Sequence, residues 1–263
     1  MYAFEYQRAK SVADASSALA KTGGKALAGG QSLVGAMKLR LANPGTVVDL
    51  SGIPDLKGVR KDGDAIVIGA MTTHAEVASS PVVKQAIPAL AALAEGIGDR
   101  QVRNRGTLGG SIANNDPAAD YPAAVLALGA TVHTNKRKIA ADDFFKGMYE
   151  TALAADEIIT AVSFPTPKKA AYMKFPQPAS RFALVGVFVA QTSGGVRVAV
   201  TGAAAHVHRA TAIENALSKN FSAEAAKAVK ISADHLNSDL HGSAEYRAHL
   251  VSVMAGRAVA AAG

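Results

Sequence analysis

The sequence predicts an α+β fold of two small α/β units in tandem, followed by a domain in which strands precede helices. Three observations carry this. Residues 1–55 read as strand, helix, strand, glycine loop, helix, strand. Residues 103–122 have neither helical nor strand periodicity, so they do not fill a core. Pro165-Thr166-Pro167-Lys168-Lys169 breaks the chain before three strand-like runs and a helical tail. The expected divisions are 1–55, 56–168 and 169–263.

Each element has a local cause. Residues 11–22 place small apolar positions at helical spacing, with Ser11 as cap and Gly23-Gly24 as stop. Thr46 to Leu50 is a short strand, turned by Ser51-Gly52-Ile53-Pro54. Ala65 to Ala70 opens the second unit, and Thr72 to Glu76 starts a helix with a capping box. Pro81 and Pro88 begin further helices, and Gly96-Ile97-Gly98-Asp99 leads into the long loop. After it come an apolar run at 123–128, a strand at 131–134, a helical turn at 142–145 and a strand at 157–164. The third domain shows strands at 171–175, 183–191 and 195–203, with Ser193-Gly194-Gly195 as a hairpin turn. Helices near 211–218, 222–236 and 243–261 close the chain.

Composition narrows the function classes. The chain of 263 residues is 49% hydrophobic and 19% charged, an ordinary globular balance. It has no cysteine, which excludes disulfides, thiolate metal sites and iron–sulfur clusters in this chain. No apolar run is long enough to span a membrane, and the first residues lack the pattern of a signal peptide. The expected location is the cytoplasm, with any contact with the inner membrane peripheral and made through a complex. The net charge of +7 is scattered, without aromatic interleaving, so it reads as solubility and attraction to acidic partners, not nucleic-acid binding. His206 and His208 share a strand face but have no third ligand at a recognisable spacing, and no metal site is expected.

The chemistry concentrates in two glycine loops. Lys25 to Ser32 is a short apolar run that ends in Gly29 and Gly30, followed by a helix over 33–41. A strand, a glycine turn and a helix start present unpaired N–H groups to an anion. Taken alone, Gly29, Gly30, Gln31 and Ser32 also fit a tight turn with a helix cap. In the second loop, glycines allow close backbone approach, while Thr107, Ser111, Asn114 and Asp120 offer hydrogen bonds to a polyhydroxylated molecule. Two such loops point to a ligand with a diphosphate.

These stretches, AGGQSLVGAMKLRLANPGTVVDLSGIPDL and RNRGTLGGSIANNDPAADYPAAVLALGATV, resemble the FAD-binding loops of the flavoprotein (medium) subunit of the molybdenum hydroxylases. That family includes aerobic carbon monoxide dehydrogenase and the xanthine dehydrogenase type. EIITAVSFP at 157–165 and AYMKFPQPASRFALVGVFVA at 171–190 extend the resemblance in order along the chain. It implies a PCMH-type FAD-binding fold followed by a C-terminal domain of a three-stranded antiparallel sheet plus helices. The cofactor-binding set it implies is Ala28, Gly29, Gly30, Gln31, Ser32, Leu33, Ile97, Thr107, Leu108, Gly109, Gly110, Ser111, Asn114, Asp120, Ile159 and Lys174. Thr107 to Ser111 would hold the diphosphate, and Asp120 would accept from ribityl or ribose hydroxyls. Read from the residues alone, Ile97 and Ile159 are core positions, Lys174 a snorkelling surface lysine and Asp120 a helix cap. The sequence departs from many relatives at Asn114-Asn115-Asp116, where they carry a histidine nearby.

The implied function is that of the FAD subunit of a carbon monoxide dehydrogenase-like complex. Molybdopterin would sit in a large subunit and [2Fe-2S] clusters in a small one, assembled as a dimer of heterotrimers. Electrons would pass from the clusters through FAD to an external acceptor. The alternative is a self-sufficient flavin oxidase or reductase of the same fold. That reading needs a proton donor or base at the flavin, and the sequence offers no catalytic residue for it.

Overall fold

A computed structural model describes residues 1–262; the last residue of the expected third domain lies outside them. The first unit runs β1 (Glu5–Arg8), α1 (Val12–Thr22), β2 (Lys25–Leu27), α2 (Leu33–Lys38) and β3 (Thr46–Asp49). Its strands form a parallel sheet in the order β1-β3-β2. Ser11 accepts from Asp14 N–H at the start of α1, and Gly23 ends it in the left-handed region at φ 62°.

The second unit contains β4 (Val59–Asp62), β5 (Ala65–Gly69), α3 (His74–Ser79), α4 (Pro81–Ala86), α5 (Pro88–Glu95), α6 (Arg100–Arg103), α7 (Leu108–Asn114) and α8 (Tyr121–Ala127). It continues with β6 (Thr131–Thr134), β7 (Lys138–Ala140), α9 (Ala141–Phe144), β8 (Phe145–Gly147), β9 (Glu150–Thr151) and β10 (Ile159–Pro165). Five strands make an antiparallel sheet ordered β4-β5-β10-β6-β7. The capping box expected at Thr73 and Glu76 is present.

The last unit is β11 (Lys169–Pro176), β12 (Ala183–Thr192), β13 (Gly195–Thr201), β14 (His208–Arg209), α10 (Thr211–Lys219), α11 (Ala223–Lys227) and α12 (Ala244–Ala261). β12 is buried on both faces because it is a wall between two cores. Phe188 and Ala190 point into the core shared with the second unit. Val185, Val187 and Val189 point at the helices. The C-terminal sheet therefore lies directly against the unit that carries the second glycine loop.

Four details differ from the sequence expectation. The aperiodic stretch 103–122 contains a helix, α7, capped by the Thr107 hydroxyl and buried through Leu108 and Ile112. The C-terminal sheet has four strands, since the short β14 pairs with β13. The helix expected over 33–41 ends at Lys38, and Arg40 follows in the left-handed region at φ 61°. The helix expected over 222–236 stops at Lys227. There tertiary bonds outcompete the alanine-rich pattern: Asn237 donates its backbone N–H to Ala203 O (2.8 Å) and its amide to Ala204 O (2.9 Å).

Candidate functional site

The two glycine loops touch. A Cβ on Gly29 would fall inside the Arg105 backbone carbonyl, and one on Gly110 would lie 3.2 Å from Ala28 Cβ and 2.9 Å from Thr107 Oγ1. Only glycine permits this approach, so Gly29 and Gly110 are where the loops interlock. Gly30, at φ 75°, turns the first loop into α2. Among the described residues, no hydrogen bond within the chain uses the N–H groups of Gly29, Gly30, Gln31, Ser32 or Leu33. Ser32 occupies the cap position of α2 without a capping bond from its side chain. A run of unused donors at the surface is the chemistry an anion needs.

The second loop is built differently. Leu108 N–H donates to Thr72 O (3.1 Å), Gly109 N–H to Ala70 O (2.8 Å), Ser111 N–H to Thr107 O (3.0 Å) and Gly110 N–H to Thr107 Oγ1 (3.1 Å). Thr107 Oγ1 and these amides, expected as ligand donors, are spent holding α7 onto the end of β5. Gly109 is tight for the same reason: its Cβ would sit 2.6 Å from Ala70 Cβ. The loop's contribution is close approach, together with the Ser111 and Asn114 side chains, which make no bond inside the chain. The neighbouring Asn115 is buried in the left-handed region, and its amide donates to Gly147 O and Glu150 O at 2.8 and 2.9 Å.

A third group joins Asp120, Lys174 and Ile97. Asp120 stands just before α8 and makes no cap bond there. Its Oδ1 accepts from Tyr172 OH at 2.5 Å and pairs with Lys174 Nζ at 3.0 Å. Lys174 also donates to Gly96 O at 2.9 Å, and its side chain is 12% exposed, so it is a half-buried cross-link, not a snorkelling surface residue. Arg103 donates to Ile97 O and Gly98 O at 3.0 Å. Arg181 reaches Gly98 O at 3.4 Å. Three cations thus fix the turn that presents the half-buried Ile97. Ile159 is 5% exposed on β10 and packs in the same core as Leu108, away from the loop surface.

Burial dominates the electrostatics. It pushes the Asp120 carboxyl above the ordinary carboxylate range, while the Lys174 ammonium and the Tyr172 hydroxyl pull it back. His74 lies under Gly106, where a Cβ would fall 2.5 Å from the imidazole Nε2, and its ring tilts against Tyr121 at 5.2 Å. Burial, helped by the Arg103 charge, holds His74 down to about 4. The imidazole is neutral beneath the second loop. His206 and His208 are half-buried, and His206 Nδ1 lies 2.7 Å from Val207 O.

Residues 2–167 match the family model for the FAD-binding domain in molybdopterin dehydrogenase, and residues 170–262 match the CO dehydrogenase flavoprotein C-terminal domain. The chain belongs to this flavoprotein family. FAD is therefore its cofactor, and the chain is an oxidoreductase component. The flavoprotein is 40% identical to the nicotine 6-hydroxylase medium subunit of Paenarthrobacter nicotinovorans, over 99% of this chain and 98% of that one. It is 37% identical to the carbon monoxide dehydrogenase medium chain of Hydrogenophaga pseudoflava, over 98% and 96%. Its fold superposes on a solved carbon monoxide dehydrogenase from that organism with a TM-score of 0.91 at 38% identity, covering 99% of this chain and 97% of that one. Tyr172, Gly186, Thr201 and Arg103 shape the site without standing out in the sequence. The one available signal was the pairing of Tyr172 with Lys174, two apart on one strand and so on one face.

Proposed function

We propose that this flavoprotein is the FAD-carrying medium subunit of a carbon monoxide dehydrogenase-like molybdenum hydroxylase. It works with a large molybdopterin subunit and a small iron–sulfur subunit, paired as a dimer of heterotrimers in the cytoplasm. Any association with the inner membrane is made through the complex; no described helix is long and apolar enough to cross a membrane. Residues 1–55 and 56–168 are the two halves of the FAD-binding unit, and 169–263 the C-terminal domain.

The interlocked glycine loops carry the reading. The unused N–H groups of Gly29 to Leu33 suit the diphosphate, and the missing side chains of Gly29 and Gly110 let the two loops close together beside them. Ser111, Asn114 and the Asp120 carboxylate suit the hydroxyls and polar edges of the cofactor. Ile97, on a turn held from three sides, and Lys174, one of the residues that hold it, border the same region. The bound flavin ring supplies the redox chemistry, and the chain's part is to bind, orient and tune it. Electrons arrive from the partner's clusters and leave to an external acceptor, which fits a chain with no cysteine.

Substrate choice belongs to the large subunit in this reading, which explains similar identity to nicotine-hydroxylating and carbon monoxide-oxidising relatives. Purifying the tagged chain from its natural cells tests the assembly. Recovery of stoichiometric large and small subunits carrying molybdopterin and [2Fe-2S] clusters supports it. A chain that purifies alone, with FAD and with turnover of its own, supports the self-sufficient flavoenzyme instead.

A further inference from the structure

The segment that leads into Asp120 is held from the C-terminal domain. Gly202 N–H donates to Pro117 O at 2.8 Å, and Thr201 Oγ1 donates to Pro117 O and Ala119 O at 3.0 and 2.6 Å. Ala183 N–H donates to Ala118 O at 3.4 Å. Tyr172 OH and Lys174 Nζ then both take Oδ1 of Asp120, and no hydrogen bond from the described residues reaches Oδ2. The Tyr172 hydroxyl arrives by leaning over Gly186, where any Cβ would collide with it. Gly186 stands opposite Lys174 on one side and Thr201 on the other, so one row across three strands brings together the ammonium, the space under the phenol and the threonine hydroxyl.

We propose that Tyr172 is a positioning residue for the cofactor site, saturating Asp120 Oδ1 together with Lys174 so that Oδ2 is the oxygen presented to a ribityl or ribose hydroxyl of FAD. This rests on the reading above that Asp120 faces the cofactor. It gives the C-terminal sheet a direct part in flavin binding, through an atom of the FAD-binding unit that it does not itself contain. The physical need is plain. A carboxylate buried this deeply protonates readily, and a protonated Asp120 loses acceptor strength at the very oxygen the hydroxyl needs.

The charged and titratable groups around Asp120 are few. Tyr172 and Lys174 come from β11, and Tyr121 follows it on α8. β12 adds no charge, only Gly186 and Phe188, the latter stacked on Tyr172 at 6.1 Å. β13 adds the neutral Thr201 hydroxyl, and the turn after α5 adds the Gly96 carbonyl on Lys174. His74 is one ring further away, against Tyr121, and is common to every protein compared below. The Tyr172 phenol stays protonated, since burial and then the Asp120 charge raise it well above its ordinary value.

The test is FAD retained per chain after dialysis at a series of pH values between 4 and 8, for the full-length wild type, Tyr172→Phe and Asp120→Asn. A hydrogen bond to a charged group translates into about tenfold in affinity, so Tyr172→Phe should bind FAD about tenfold more weakly at pH 7. Its loss of FAD on acidification should also begin about one pH unit higher than in the wild type, because the carboxyl has lost a bond that favoured its ionised form. Asp120→Asn should lose more affinity and lack that shift. Gly186→Ala, which displaces the phenol without removing it, should repeat the Tyr172→Phe profile, and it serves if Tyr172→Phe melts early. Wild-type affinity and midpoint in both Tyr172→Phe and Gly186→Ala, with binding lost in Asp120→Asn, overturn the role of Tyr172 alone. Wild-type binding in Asp120→Asn overturns the cofactor reading of Asp120. A wild type that holds no FAD at any pH, either alone or in the assembled complex, overturns the proposed function itself.

Discussion

At the scale of single residues, the site depends on atoms that are missing from side chains as much as on those present. Gly29 and Gly110 let two loops interlock, and a side chain at either place must pry them apart. Gly110→Val should abolish flavin binding while the C-terminal domain stays folded, read as released flavin per chain beside the far-ultraviolet circular dichroism. Full FAD content in that variant would place the site elsewhere. His74 gives a pH signature. The folded state holds its imidazole neutral with a value of about 4, against 6.5 when unfolded. Its contribution to stability is therefore complete above pH 6.5 and is lost as the pH falls from there towards 4. Urea midpoints across that range should drop in the wild type and stay flatter in His74→Gln; equal slopes would deny the buried neutral histidine. Lys174 entered only through the family resemblance, but both glycine loops and Asp120 were legible from residue types and order. Their wiring was not, because a threonine that caps its own helix and one that meets a ligand look the same in sequence.

Among the elements, local signals worked where local bonds decide. Ser11 and Gly23 bound α1, and Thr73 with Glu76 opens α3, as their residue types require. They failed where distant contacts win. α7 hides in a stretch rich in glycine and asparagine, since only Leu108 and Ile112 mark its buried side. The loop after Lys227 is pinned to the end of β13 by Asn237, which an alanine-rich pattern does not reveal. The same region shows what anchors α12. Arg247 is 4% exposed; it donates to Leu184 O and Gly202 O at 2.9 and 3.0 Å and pairs with Asp239 at 2.7 Å. Arg247→Met strips two strand-end carbonyls and a carboxylate of their donor, and should destabilise the chain by about 3 kcal/mol. A chemical denaturation curve unchanged within about 0.5 kcal/mol would show that water replaces the guanidinium.

For the whole molecule, the C-terminal sheet is a shared wall. β12 buries one face in the core beneath the second loop and the other against α12, so the unit that carries the second glycine loop and the C-terminal domain are parts of one packed body. The surface adds a second theme. A net charge of +7 without a nucleic-acid pattern suits acidic protein partners, and assembly should weaken as salt rises from about 0.05 to 0.5 M, where screening shortens to a few ångströms. Co-purification yields that ignore salt would point to an apolar interface instead. The proposed function requires the chain to carry FAD. Its most direct test is the absorption spectrum of the purified full-length chain, followed by denaturation and identification of the released flavin. The prediction is FAD in near one-to-one amount with the chain, either as purified or once its partner subunits are present; a chain that neither carries FAD nor takes it up in the assembled complex would contradict it.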